Sequence, residues 1–112
     1  MASNFTTAGV AIGGEFVTAL AWANFDGTGT VSIRDSYGFS SLTDLAVGNW
    51  ELNFSSTLGN ANYVVSSSGN IGAYGDQYGS QAFGTTKFQF NCSSGSAYKD
   101  QAQLNATVFG DG

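Results

Sequence analysis

The 112-residue chain has no histidine and no proline, one cysteine, and only three basic residues, Arg34, Lys87 and Lys99. Each shortage excludes something. Without histidine there is no Ser-His-Asp or Cys-His arrangement for nucleophilic catalysis. A lone Cys92 forbids an internal disulfide and leaves zinc without its usual nitrogen and sulfur ligands. Three cations against eight acids give a net charge of −5. The chain therefore lacks the Lys and Arg clusters that neutralise nucleic-acid phosphates or anionic lipid, and neither partner is expected. No apolar run reaches the ~18 residues of a membrane-spanning helix. The opening MASNFTTAGVAIGG has neither the basic nor the apolar region of a secretory signal, so export by lysis or inside a particle is expected. Proline is one of the devices that protect sheet edges. With none present and charged residues at 10%, strand edges are expected to pair with a neighbouring subunit, making a homo-oligomer.

Hydrophobic residues make up 42% of the chain and aromatics 14%, which favours a packed globule over disorder. The length suits one domain. Few charges leave Ser, Thr, Asn and Gln to cover the surface, a composition suited to extracellular β proteins and large assemblies.

Residues 1–14 read as an N-terminal arm, with Phe5, Val10 and Ile12 as apolar anchors for a subunit contact. Residues 15–112 read as a single β-sandwich domain. Leu20 and Trp22 alternate with Ala19, Ala21 and Ala23, which fits a strand with its large residues facing in; the alanines also permit a short helix. Asp26-Gly27 is a hairpin signal and favours the strand. Val31 and Ile33 share one face of the next run. Around a turn at Gly48, Trp50, Leu52 and Phe54 point one way and Glu51, Asn53 and Ser55 the other. A one-residue slip there would expose all three large residues, so the register is well specified. Residues 66–85 read as a long loop punctuated by Gly69, Gly72, Gly75, Gly79 and Gly84, with Tyr74, Tyr78 and Phe83 between them. Tyrosine with Gly and Ser is the composition of adaptable recognition loops; the plainer alternative lays these rings on the sandwich edge. Phe88, Phe90 and Cys92 then alternate inward, as do Ala102, Leu104, Ala106 and Val108 in the last strand. The sum is an all-β fold, a compact antiparallel β-sandwich (jelly-roll-like) of about seven or eight short strands.

Nothing in the sequence assembles a reaction centre. The eight acids are scattered. Two of them could serve a glycosidase, but in a β-sandwich the spacing in sequence says little about which acids would meet. Asp26 in Asp26-Gly27-Thr28-Gly29 lacks the rest of a calcium-ligand series. No catalytic residue, metal or cofactor is expected. Aromatic rings on a β surface can stack on sugars, yet Trp22 and Trp50 both fall on the large-residue side of their strands, so both are expected in the core.

Several ordered blocks carry a resemblance: Ala21–Arg34 (AWANFDGTGTVSIR), Phe39–Asp44 (FSSLTD), Gly48–Phe54 (GNWELNF), Ala61–Val65 (ANYVV), Ser96-Ala97-Tyr98, and a closing Val108-Phe109-Gly110. Together they resemble a module of bacteriophage tail-fibre and other virion proteins, notably those of cyanobacterial and marine phages. The resemblance implies a non-enzymatic virion component at the particle surface, often trimeric. It implies as partners other virion proteins, either the major capsid protein or tail components, and at a fibre tip a host surface glycan. At 112 residues from Met1 the chain is expected to be a free-standing particle protein, which points toward capsid decoration (cement) ahead of a fibre or spike tip. A glycan-binding domain using Tyr74, Tyr78 and their neighbours is the expectation of a different kind.

Overall fold

A computed structural model describes residues 10–12, 15–70, 76–95 and 97–112. Among them there is no helix, and eleven strands appear in order: β1 Val10–Ile12, β2 Glu15–Val17, β3 Ala21–Asp26, β4 Ser32–Tyr37, β5 Phe39–Ala46, β6 Asn49–Phe54, β7 Val64–Gly69, β8 Asp76–Gln81, β9 Lys87–Ser94, β10 Ala97–Tyr98 and β11 Leu104–Phe109. Nine of these form two antiparallel sheets packed as a β-sandwich. One sheet has the order β4-β3-β11-β7. In the other, β8 and β6 flank β9, β5 lies beyond β6, and the two-residue β10 continues along the β6 side of β9. β1 and β2 pair only with each other, Val10 opposite Val17 and Ile12 opposite Glu15. An arm ending at residue 14 therefore divides a two-stranded ribbon between its strands.

The chain changes sheets abruptly at Gly38, the single residue between β4 and β5. Its φ of +79° belongs to the left-handed region, and a Cβ there would lie 2.6 Å from the Leu20 carbonyl oxygen. Only glycine meets both conditions without strain. Gly48, with φ +68°, turns β5 into β6 in the same way, its amide held by Asp100 Oδ1 at 2.8 Å.

Alternation decides the core. β6 buries Trp50, Leu52 and Phe54, and β9 buries Phe88, Phe90 and Cys92, as their spacing of two predicts. β11 buries Leu104, Ala106 and Val108. Ala102, predicted on the same apolar side, is exposed; the strand starts only at Leu104, and Gln101 is buried instead. Between the sheets, Phe25 meets Trp50 edge-on with ring centres 5.6 Å apart and Phe90 at 5.2 Å. Such edge-to-face pairs add about 0.5–1.5 kcal/mol each beyond their buried area.

The volume is shared unequally. The β8-β9-β6-β5 sheet contributes five inward rings: Phe39, Trp50, Phe54, Phe88 and Phe90. Opposite them, the other sheet presents Ala21, Ala23, Ala106, Val108 and Leu104, with Phe25 as its one fully buried ring. Small residues facing large ones fill a sandwich core at constant depth. This reverses the expectation for Trp22. Its neighbours Ala21 and Ala23 face in, and Trp22 faces out with 38% of its surface exposed.

The 66–85 region is also different from the loop expected. Val64–Gly69 and Asp76–Gln81 are both strands, and residues 71–75 lie outside the described residues. β7 has the sequence VVSSSG, and a strand read over 62–65 stops at Val65 because the serines that follow leave neither face strongly apolar. Its inward positions are small for a reason: a Cβ on Gly69 would come within 2.5 Å of the Tyr78 ring.

Candidate functional site

β4, β3, β11 and β7 run antiparallel in register, so their outward residues form rows across the sheet. In one row Asp35, Asn24, Asn105 and Ser68 are successive register partners. Asn24 Nδ2 donates to Asn105 Oδ1 at 2.6 Å, and Asn105 Nδ2 donates to Ser68 Oγ at 3.2 Å. This is an amide ladder running across three strands. The next row is Tyr37, Trp22, Thr107 and Ser66, and beyond it Phe109 lies opposite Val64. Tyr37, Trp22, Phe109 and Val64 are all exposed, at 62%, 38%, 41% and 67%. A single end of the face thus carries three aromatic rings and an aliphatic side chain. Tyr37 also lines a depression of about 350 Å³ with Leu20, Gly38, Phe54, Ser55 and Leu58.

The opposite end of the same face is charged. Arg34 Nη2 lies 3.8 Å from Asp26 Oδ2 and also donates to the Ala102 carbonyl. Asp26 Oδ1 accepts from the Thr28 amide at 2.8 Å, an Asx turn that fixes the start of the 27–31 connection. The hydrogen bond from the Thr28 hydroxyl, followed by that from its amide, holds the Asp26 carboxyl below the usual carboxylate range. The Asp26 connection is a turn built from its own neighbours.

The other outer face is polar throughout its middle. Asn53 Nδ2 donates to Ser41 Oγ and Thr43 Oγ1 at 3.0 and 3.1 Å, Asn91 Nδ2 to Asn49 Oδ1 at 2.9 Å, and Gln81 Nε2 to Gln89 Oε1 at 3.0 Å. Lys87 pairs with Glu51 at 3.3 Å. Exposed apolar side chains lie beyond these rows, at Leu45 and Val47 by the β5–β6 turn and at Tyr98.

Of the residues singled out in the sequence, Tyr78 and Phe83 are the two whose side chains the structure describes, and they make different contacts. Tyr74 and Phe5 lie outside the described residues. Val10 and Ile12 are register positions of β1. Phe83 is 46% exposed, and its ring meets Tyr63 edge-on at 5.7 Å and stacks on Phe88 at 6.4 Å, so it anchors the connection between β8 and β9. Tyr78 is half-buried, and its hydroxyl donates to Gln101 Oε1 at 2.8 Å. Gln101 Nε2 in turn donates to Asp76 Oδ2 at 2.7 Å, and Lys99 Nζ sits 3.1 Å from the same oxygen. The Asp76 side chain is fully buried. This cluster ties β8 to the crossing segment before β11, and burial raises the Tyr78 hydroxyl above its ordinary pKa. Burial likewise raises the Cys92 thiol. A thiol so placed is a poor nucleophile.

The outer-face rows were missed because they join residues distant in sequence. Asn24 and Asn105 are 81 positions apart. The signal that could have found them is the outward half of each strand's alternation, had the inward parity of β3 been fixed by Phe25. No protein family, curated protein or solved structure matches the chain.

Proposed function

We propose that this chain is a non-enzymatic structural protein of the bacteriophage particle surface, acting as a capsid decoration (cement) protein. The observation that carries the reading is the ordered set of blocks resembling phage virion modules, which fall on β3 through β6, on the approach to β7 and at the end of β11. The surface supports a role in contact. The exposed end formed by Trp22, Tyr37, Phe109 and Val64 offers apolar area on an otherwise polar sheet face. Among the described residues β7 pairs on one side with β11 and is an edge of its sheet, and its residues VVSSSG carry neither charge nor proline. An edge of that kind accepts a strand from another subunit, which makes β7 the element through which copies, or a capsid subunit, would join. Electron microscopy of particles carrying labelled protein tests the reading. Label distributed over the shell is expected. Label confined to the tail would replace decoration by a fibre role, and its absence from particles would end both.

A tail-fibre or spike tip that meets a host glycan is the second reading. It is favoured by one observation, the juxtaposition of exposed aromatic rings with a row of neutral amides on the β4-β3-β11-β7 face.

A further inference from the structure

We propose that the outer face of the β4-β3-β11-β7 sheet is a binding platform for a neutral polysaccharide, with Trp22 and Tyr37 as its stacking residues. The inference deepens the second reading above and rests on it only for the biological source of the glycan. Trp22 and Tyr37 are register partners on adjacent strands, and both rings are exposed. Adjacent strands lie about 4.8 Å apart, close to the length of one pyranose ring. A glycan lying across the strands therefore sets successive sugars over Tyr37 and then Trp22, and continues over the hydroxyls of Thr107 and Ser66 in the same row.

The flanking rows supply the remaining chemistry. On one side lies the ladder of Asn24, Asn105 and Ser68. Neutral amides and hydroxyls both donate and accept, as sugar hydroxyls require. Phe109 and Val64 close the other side with apolar surface. Charge selects among saccharides. The face carries Asp35 at the edge of the ladder, and the chain has a net charge of −5, so sulfated or uronic-acid chains are repelled and neutral ones are not. The depression of about 350 Å³ beside Tyr37 has room for a branch at that end.

Two tryptophans make the test direct, because Trp50 is fully buried and Trp22 is the one a solution quencher reaches. The full chain is run by affinity electrophoresis through gels containing soluble neutral polysaccharides (mixed-linkage glucan, galactomannan, xylan) and one polyuronate, and iodide quenching is measured with and without each. We expect retardation by at least one neutral polymer and none by the polyuronate, with that polymer shielding Trp22 from iodide. Trp22→Ala and Tyr37→Ala should each weaken retardation at least tenfold, Trp22→Phe should restore most of it, and Gln89→Ala on the opposite face should change nothing. Near-ultraviolet circular dichroism from buried Trp50 establishes that each variant is folded. Failure of every neutral polymer, or retention of binding by folded Trp22→Ala, overturns the platform. So does shielding of Trp22 that rises with protein concentration instead of saccharide, which would make the face an interface between copies. None of these outcomes touches the particle-surface reading, which is decided by microscopy.

Discussion

The two outer faces of the sandwich share a fold and differ in where their large side chains went. Behind the amide and hydroxyl rows of β6 and β9 stand Trp50, Phe88 and Phe90, all fully buried. Behind the exposed Trp22 of β3 stand Ala21 and Ala23. One sheet turns five rings inward and shows Asn, Gln, Lys and Glu over the middle of its outer face; the other adds Phe25 and mostly small side chains to the interior and carries Trp22, Tyr37 and Phe109 outside. The difference teaches that a ring's side is not set by its own strand. It is set by the volume the opposite sheet already occupies, since a core holds to a nearly constant packing density. Five rings from one sheet left space for alanines from the other, and strand parity then put Trp22 in water.

The sharpest way to break this comparison is to truncate one tryptophan from each sheet. Trp50→Ala should lower unfolding free energy by about 3–5 kcal/mol. Trp22→Ala should cost no more than about 1 kcal/mol, since surface changes rarely exceed that. Denaturant unfolding monitored by far-ultraviolet circular dichroism reads both, and equal losses would mean that Trp22 belongs to the core after all. Next in size are the glycines that admit the rings. A Cβ on Gly27 would lie 2.4 Å from the Trp50 ring. Gly27→Ala should therefore destabilise by about 1–3 kcal/mol through overpacking, visible as a lower thermal midpoint.

Smaller again are the amide ladders, one on each face. Asn105→Ala and Asn91→Ala each remove one part-buried side-chain hydrogen bond, and each should cost about 0.5–1.5 kcal/mol. If Asn105 serves only as a ligand group, its replacement will leave stability unchanged while that of Asn91 does not. The smallest effects are those of pH. The Tyr63 and Tyr78 hydroxyls and the Cys92 thiol are all raised by burial. A raised value means stability that is complete below the ordinary pKa and lost as pH climbs through the raised one. Thermal midpoints should therefore fall from about pH 8.5 upward, and Cys92→Ala should remove the earliest part of that fall. Asp26 works in the opposite sense. Its carboxyl is lowered, so its contribution is present above the ordinary carboxylate value and lost as pH drops through the lowered one. Thr28→Val should move the Asp26 titration up, as followed by NMR, with little change in midpoint at neutral pH.

Much of the fold was legible. Trp50-Leu52-Phe54 and Phe88-Phe90-Cys92 alternate without ambiguity because all members of one face are apolar and their neighbours polar, and burial follows the alternation residue by residue. The Gly48 turn and the Asp26-Gly27 connection were legible from turn chemistry. β3 was not fully legible. Ala19, Ala21 and Ala23 could pack on either side, and only the rings of β6 and β9 settle which. Of β7 only the start was legible, Val64 and Val65 at the end of a strand read over 62–65; Ser66, Ser67 and Ser68 carry no periodic signal, and pairing with β11 carries the strand on through them. The cluster of Asp76, Tyr78, Lys99 and Gln101 joins segments more than twenty residues apart, and nothing local announces it. The outer-face rows failed for the same reason, as each member comes from a different strand.

β11 lies between β3 and β7, yet it is the last of the described strands in chain order. β3 therefore has one flank open until a partner 81 residues downstream has been made. A nascent chain can close its β5–β6 hairpin early, since Asn49–Phe54 needs only its neighbour. The β4-β3-β11-β7 sheet cannot exist until Leu104–Phe109 has left the ribosome. Such pairings of high sequence separation fold in milliseconds to seconds rather than microseconds. Until then the edge of β3 that β11 will occupy is unpaired, and the interval before β11 docks is when nascent chains of this protein are most prone to join one another.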